Sequence, residues 1–220
     1  MELSFFKRYE NGDRALGSRL STFKIALSLL DHTKNNNFIE TGTTRKNYLT
    51  TPDVCERAAD GGSTLIFADY VSRFGGHVWT CDIEKKNIEN CKIATEQYQK
   101  SITYVVDDSL NFLNNFNQKI DFLYLDSVDS HLPNANEHQL KEIKLAYKNL
   151  HNKSIILLDD LGSKTNLSIP FLKDKNWCQI LIDVPRPARY NNLMQGIFVK
   201  EEFLYIDHSS IPEDKRFKDV

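Results

Sequence analysis

The sequence contains no long run of Lys and Arg, no C-x-x-C pair, and no apolar stretch near the roughly 20 residues that a membrane-spanning helix needs. Each absence removes a class of function. Lys+Arg total 28 against Asp+Glu 30, a net charge of -2 with no basic stripe, so a dedicated nucleic-acid binder is not expected. No membrane partner is expected either, and the opening MELSFFKRYENGDR lacks the apolar core of a secretion signal, so the expected location is cytoplasmic. The four cysteines, Cys55, Cys81, Cys91 and Cys178, are too scattered for a zinc site and read as buried reduced thiols. Glycine is scarce, with 9 in 220 residues, and five of them (Gly42, Gly61, Gly62, Gly75 and Gly76) crowd between positions 42 and 76.

What is present is the composition of a folded domain, 40% hydrophobic and 26% charged, in a chain long enough for one sizeable core. Leu16, Leu20, Phe23, Leu27 and Leu30 recur at helical spacing and predict an amphipathic helix over residues 16–31. Packing on the core is its expected use; cover over a pocket or a homodimer contact are the alternatives. From Phe38 to Asp160 short apolar runs (FIET, HVWTCDI, ITYVVD, IDFLYLD, SIILLDD) alternate with longer helical segments. That rhythm predicts an α/β fold with a doubly wound, mostly parallel sheet. Beyond it, a helix over 167–173 and the runs CQILIDV and GIFVKEEFLYI are expected, the two runs as an antiparallel pair at one sheet edge. Residues 1–36 then form a helical extension and 37–220 one domain, ending in a solvated charged tail.

Ligands of such sheets bind outside the carboxyl ends of the strands, where the glycines here concentrate. The first run ends in Glu40-Thr41-Gly42-Thr43, and a helix is expected to start at Gly61-Gly62-Ser63-Thr64, where a hydroxyl can cap it and N–H groups can hold a carboxylate or phosphate. Asp82 ends the second run, the position from which an acid accepts hydrogen bonds from ribose hydroxyls. Asp107-Asp108-Ser109 ends the third; there an acceptor can meet an adenine amino group, and a helix cap explains Asp108 or Ser109 equally well. A dinucleotide fold would carry G-x-G-x-x-G after its first strand, and none occurs. The fourth and fifth runs stop at Asp126 and at Asp159-Asp160. Three carboxylates at neighbouring strand ends repel unless a cation joins them, and a hard divalent ion is the expected partner; the competing partner is a side-chain cation such as Lys164.

The ordered set Glu40-Thr41-Gly42-Thr43, Cys81-Asp82, Asp108-Ser109, Leu125-Asp126-Ser127 and Leu158-Asp159-Asp160 resembles the Rossmann-like S-adenosylmethionine-dependent methyltransferases. Within them it is most similar to the metal-dependent small-molecule O-methyltransferases of the catechol, caffeoyl-CoA and macrolide-sugar group. The resemblance implies a seven-stranded sheet and S-adenosylmethionine as cofactor. It places Glu40, Gly42 and Thr43 by the methionine part, with Gly62 and Ser63 at the next helix start, Asp82 on the ribose, and Asp108 and Ser109 beside the adenine. It implies Asp126, Asp159 and Asp160 as ligands of a divalent metal, Mg²⁺ in the first instance. Two departures stand out. Residues 43–62 separate the first motif from its helix, and Asp129 occupies the position where the catechol branch carries its catalytic Lys.

The reaction implied is displacement at the sulfonium methyl by an oxygen of a small-molecule acceptor such as a sugar or natural product, held and deprotonated at the metal. For the base the residues offer His138, His131 and Asp129, in that order. A carboxylate beside a dication is a weak base, and a histidine near a helix start is expected to stay neutral through the dipole. Arg45, Lys46 and Tyr48 are the candidates for a lid. The alternatives are a methyltransferase of the same fold acting on a macromolecule and a non-catalytic nucleotide-binding module. Amino methylation of bases is disfavoured, because Asp126-Ser127-Val128-Asp129 stands where an Asn-Pro-Pro-Tyr-like stretch would be.

Overall fold

Every residue of Ile120–Leu125 is buried, which only a central strand covered on both faces achieves. A computed structural model describes residues 3–10, 16, 19–31, 34–45, 62–180, 195–201 and 203, and makes this strand the middle of a seven-stranded sheet. In chain order the strands are β1 (Asn36–Thr41), β2 (Gly76–Asp82), β3 (Ile102–Val106), β4 (Ile120–Leu125), β5 (Leu150–Asp159), β6 (Trp177–Ile180) and β7 (Gln195–Lys200). Their order across the sheet is β3-β2-β1-β4-β5-β7-β6. The first five run parallel, and β7 lies antiparallel between β5 and β6. The doubly wound α/β sheet with an antiparallel edge pair is the architecture the apolar rhythm predicts.

Alternation along the strands divides the core in two. Phe38, Phe122, Tyr124, Ile155 and Leu157 face one layer, which holds helices α1 (Leu3–Lys7), α2 (Arg19–Ser28) and α3 (Ser63–Phe74). Ile39, Leu123, Leu125, Ile156 and Leu158 face the other, with α5 (Ser109–Asn115), α6 (Ala135–Ala146) and α7 (Ser168–Asp174). The remaining helix, α4 (Lys85–Ala94), packs against β2 and β3. Phe23 and Leu27 are fully buried, and the Phe23 ring lies 5.3 Å from Phe67 and 5.8 Å from Tyr124, so α2 is a core helix that shares its apolar layer with the sheet. Cys81 and Cys91 are buried free thiols pushed up to about 12 by burial, and Cys178 is free as well. Cys55, Lys46, Tyr48 and the charged tail lie outside the described residues. Among the described residues no helix is long and apolar enough to cross a membrane.

Candidate functional site

At the carboxyl ends of β1 and β4 the two backbones nearly touch. The Asp126 amide donates to the Thr41 carbonyl at 2.8 Å, and a Cβ on Gly42 would fall 2.3 Å from the Asp126 carbonyl oxygen. With φ at +78° as well, the position accepts glycine alone. This turn opens a cleft of about 370 Å³ whose walls come from four strand ends: Gly42 after β1, Cys81, Asp82 and Ile83 at β2, Asp108 and Ser109 after β3, and Ser127 and Val128 after β4, with His138 of α6 closing one side. Gly42, Asp82, Asp108 and Ser109 therefore meet as the sequence reading expects.

Asp82 divides its two oxygens. Oδ1 accepts from the Glu84 amide at 2.8 Å and from Asn87 Nδ2 at 3.1 Å, whereas Oδ2 receives only a long contact of 3.4 Å from the Thr43 amide. Ile83 follows it, 67% exposed, and an apolar side chain on the wall of a polar cleft is a face on which an aromatic ring can lie. Sequence reasoning passed over Ile83; its signal was an apolar residue directly after the strand-end acid. Asp108 caps α5, accepting from the amides of Leu110 and Asn111, so the capping explanation holds for its carboxylate even as it borders the cleft.

The other expected cofactor residues stand behind this wall. Glu40 is fully buried and accepts hydrogen bonds from the hydroxyls of Ser63, Thr64 and Thr80. Thr43 joins the same network, 2.9 Å from Thr80 Oγ1 and 3.3 Å from Thr64 Oγ1. Burial pushes the Glu40 carboxyl up to about 7 although the three hydroxyls favour its charged form. The expected hydroxyl cap on α3 is not made: the cap position is Gly62, in the left-handed region, and the Ser63 and Thr64 hydroxyls both turn to Glu40. Glu40, Thr43 and Ser63 thus form a buried network behind the glycine turn, and Gly62 starts the helix that supplies its hydroxyls.

His138 Nε2 lies 2.9 Å from Ser109 Oγ and 3.6 Å from Glu142 Oε1, and Glu142, 1% exposed, also accepts from Ser127 Oγ at 2.8 Å. Against the neutral imidazole expected from the helix dipole, this carboxylate one turn along α6 raises the His138 pKa despite the opposing effect of burial. His131 is exposed in the turn before α6. Asp129 is about half exposed and pairs with Arg45 at 3.7 Å, so of the expected lid residues the described one faces the loop after β4.

Asp126, Asp159 and Asp160 converge as expected, with ligand oxygens all within 4.8 Å of one another. Two cations are already among them. Arg19, at the start of α2, donates through Nη2 to Asp159 Oδ2 at 2.9 Å and through Nε to Oδ1 at 3.3 Å. Lys164, 1% exposed, donates to Asp126 Oδ1 at 3.2 Å and reaches Asp160 Oδ2 at 3.7 Å. Burial opposes the charged form of Asp159, but the guanidinium outweighs it and holds that carboxyl below its usual range. Burial, then the charge of Asp159, push Asp126 well above it. The three carboxylates suit a hard ion by type, yet both oxygens of Asp159 are engaged, and Lys164 bridges the two carboxylates that an ion would bridge. An ammonium and a dication about 4 Å apart would repel by on the order of 8 kcal/mol at a near-surface dielectric. As they stand, these residues do not fit a divalent ion. Lys164 was visible in the sequence as a competing partner; Arg19, 140 positions from Asp159, gave no local signal.

The model of a methyltransferase domain family matches residues 58–161. No curated protein matches the sequence. Among solved structures, a Streptococcus mutans protein described as a methyltransferase and bound to S-adenosylhomocysteine shares 14% identity, with a TM-score of 0.57 over 81% of this chain and 94% of its own. The N-methyltransferase NodS of Bradyrhizobium japonicum, also with S-adenosylhomocysteine, shares 12% at a TM-score of 0.55 over 90% and 97%. A Clostridium thermocellum protein described as an rRNA methylase shares 17% at 0.58 over 82% and 96%. The fold is that of the S-adenosylmethionine-dependent methyltransferases. The domain model covers 104 of the 220 residues, from just before the third helix to just past the fifth strand, and agrees with that fold.

Proposed function

We propose that the protein transfers the methyl group of S-adenosylmethionine to an oxygen of a small hydroxylated acceptor. The observation that carries the cofactor half is the junction of Gly42, Asp82 and Ile83 in one cleft, where a turn admits close approach, Asp82 Oδ2 faces the Thr43 amide across a long contact, and an apolar side chain stands ready for a ring. Asp82 takes the ribose hydroxyls, Ile83 the adenine face, and Asp108 and Ser109 the adenine edge. His138, bonded to Ser109, belongs in this reading to the cofactor side rather than to proton removal.

The acceptor side follows from Asp126, whose backbone borders the cleft at Gly42 while its carboxylate joins Asp159 and Asp160. Those of Asp126 and Asp160 are partly exposed, with side chains 27% and 33% accessible, and accept hydrogen bonds from an acceptor hydroxyl, orienting its oxygen toward the sulfonium. As the methyl–sulfur bond breaks and the methyl–oxygen bond forms, the hydroxyl proton passes to the Asp160 carboxylate and S-adenosylhomocysteine is left. Because the sulfonium is already positive, orientation and exclusion of water supply much of the acceleration. Relatives described as rRNA methylases share the fold, but the net charge of -2 without a basic stripe favours a small acceptor.

Calorimetry with S-adenosylhomocysteine and with NAD tests the cofactor half. Binding of the first and not the second is expected, and binding of NAD alone would refute the reading.

A further inference from the structure

We infer that Arg19 and Lys164 are the resident cations of the Asp126-Asp159-Asp160 cluster, positioning residues that take the place of a divalent ion and close the cluster to one. The argument is one of position and charge. Asp159 is the last residue of β5 and Asp160 the first after it, turned into the left-handed region at φ 56°, and the two adjacent residues bring carboxylate oxygens within 4.8 Å of each other. Asp126 enters from the end of β4. Acids packed this closely are stabilised by positive charge, which Arg19 supplies at Asp159 and Lys164 at Asp126 and Asp160. The Arg19 side chain is 9% exposed and that of Lys164 1%, so neither is a surface charge that drifted to a neighbour; each is buried against carboxylates whose charge offsets the cost of burying it.

The wider packing agrees. Tyr124 Oη donates to Asp126 Oδ2 across 3.4 Å and is itself met by Gln195 Nε2 at 3.1 Å, so the second oxygen of Asp126 also has a donor. Gln195 pairs in register with Asp159 across β5 and β7. Counting donors, Asp159 has two from Arg19, and Asp126 has one from Lys164 and one from Tyr124. A metal would have to displace this set. The outward edges of Asp126 and Asp160 are what the cations leave to an acceptor, so the pocket suits one that offers hydrogen-bond donors and carries no negative charge.

The inference rests on the methyltransferase reading for its chemistry and is tested apart from it. Manganese(II), whose free-ion electron paramagnetic resonance signal falls on binding, is titrated against the full chain with and without S-adenosylhomocysteine. The wild-type protein is expected to leave the signal unchanged. Lys164→Met and Arg19→Met, each leaving carboxylates uncompensated, are expected to take up one equivalent at least about tenfold more tightly than the wild type. Circular dichroism checks that each variant folds, and Lys164→Gln replaces a variant that does not. One equivalent of manganese on the wild type, lost in Asp159→Asn, would overturn the inference. Folded variants as silent as the wild type would overturn it too, since the cations would not then be what closes the cluster. Failure of S-adenosylhomocysteine to bind strikes the methyltransferase reading and leaves the manganese comparison standing.

Discussion

Gly42 and Asp126 are in backbone contact: the Cβ that any other residue would bring to position 42 falls 2.3 Å from the Asp126 carbonyl oxygen and 2.7 Å from its carbonyl carbon. The turn that opens the cleft and the strand that delivers the first acid of the carboxylate cluster are thus fixed against each other.

Gly42→Ala must therefore part β1 from β4 and also hold an L-residue at φ +78°. The expected loss of stability is at least about 2 kcal/mol, read from the urea midpoint, with S-adenosylhomocysteine affinity falling as well. An unchanged midpoint would mean that the strand ends yield freely.

Asp82→Ala is expected to weaken S-adenosylhomocysteine by roughly 1.5–3 kcal/mol in calorimetry, the cost of losing hydrogen bonds to a charged acceptor. Because Oδ1 also receives the Glu84 amide and Asn87, a small loss of stability should accompany it. Full affinity in the variant would move the ribose elsewhere.

Glu40 makes stability depend on pH. Its carboxyl is pushed up to about 7 in the fold from an ordinary value of 4.5, so between those values the folded chain holds a proton that the unfolded chain has lost. Stability should therefore fall as pH rises from 4.5 through about 7, by on the order of 3 kcal/mol from this group. Glu40→Gln removes that slope whatever it does to the baseline, and denaturation midpoints across this range decide the matter.

His138 adds a second window. Its pKa is raised, so the stability it contributes is fully present below the ordinary value of 6.5 and is lost as pH climbs through the raised value. His138→Gln should flatten the profile above pH 6.5 and weaken S-adenosylhomocysteine by about 0.5–1.5 kcal/mol. If its replacement instead slowed methyl transfer by about 10²-fold or more at unchanged cofactor affinity, the histidine would be the base after all.

The strands were legible because each is an apolar run that halts at a polar residue: β2, β4 and β5 end at or just before the acids picked out from sequence. The helix α1 was not. Its five residues are too few to show a period, and it is held by ring contacts of Phe5 with Tyr70 and Phe74, far along the chain. The position of β7 between β5 and β6 was equally hidden, since hydropathy marks strands and not their neighbours. At the site, Asp82 and the three convergent acids could be located from strand ends alone. Glu40 was found and its surroundings were hidden: the hydroxyls that occupy it come from α3 and β2, and only the folded chain shows that they enclose it.

The Arg19–Asp159 pair joins residues 140 positions apart, and Gln195, whose amide steadies Tyr124 beside Asp126, lies farther still along the chain. A ribosome releases these parts in order. Once Val128 has emerged, the glycine turn, the hydroxyl network around Glu40 and the strand-end walls of the cleft are all in the synthesised chain, whereas Asp159, Asp160 and Lys164 follow, and the Gln195 that meets Tyr124 comes only with the seventh strand, which lies between the fifth and sixth. Such long-range closures come late in folding. On the proposed function, the part of the site read as holding the methyl donor is therefore synthesised before the part read as orienting its acceptor.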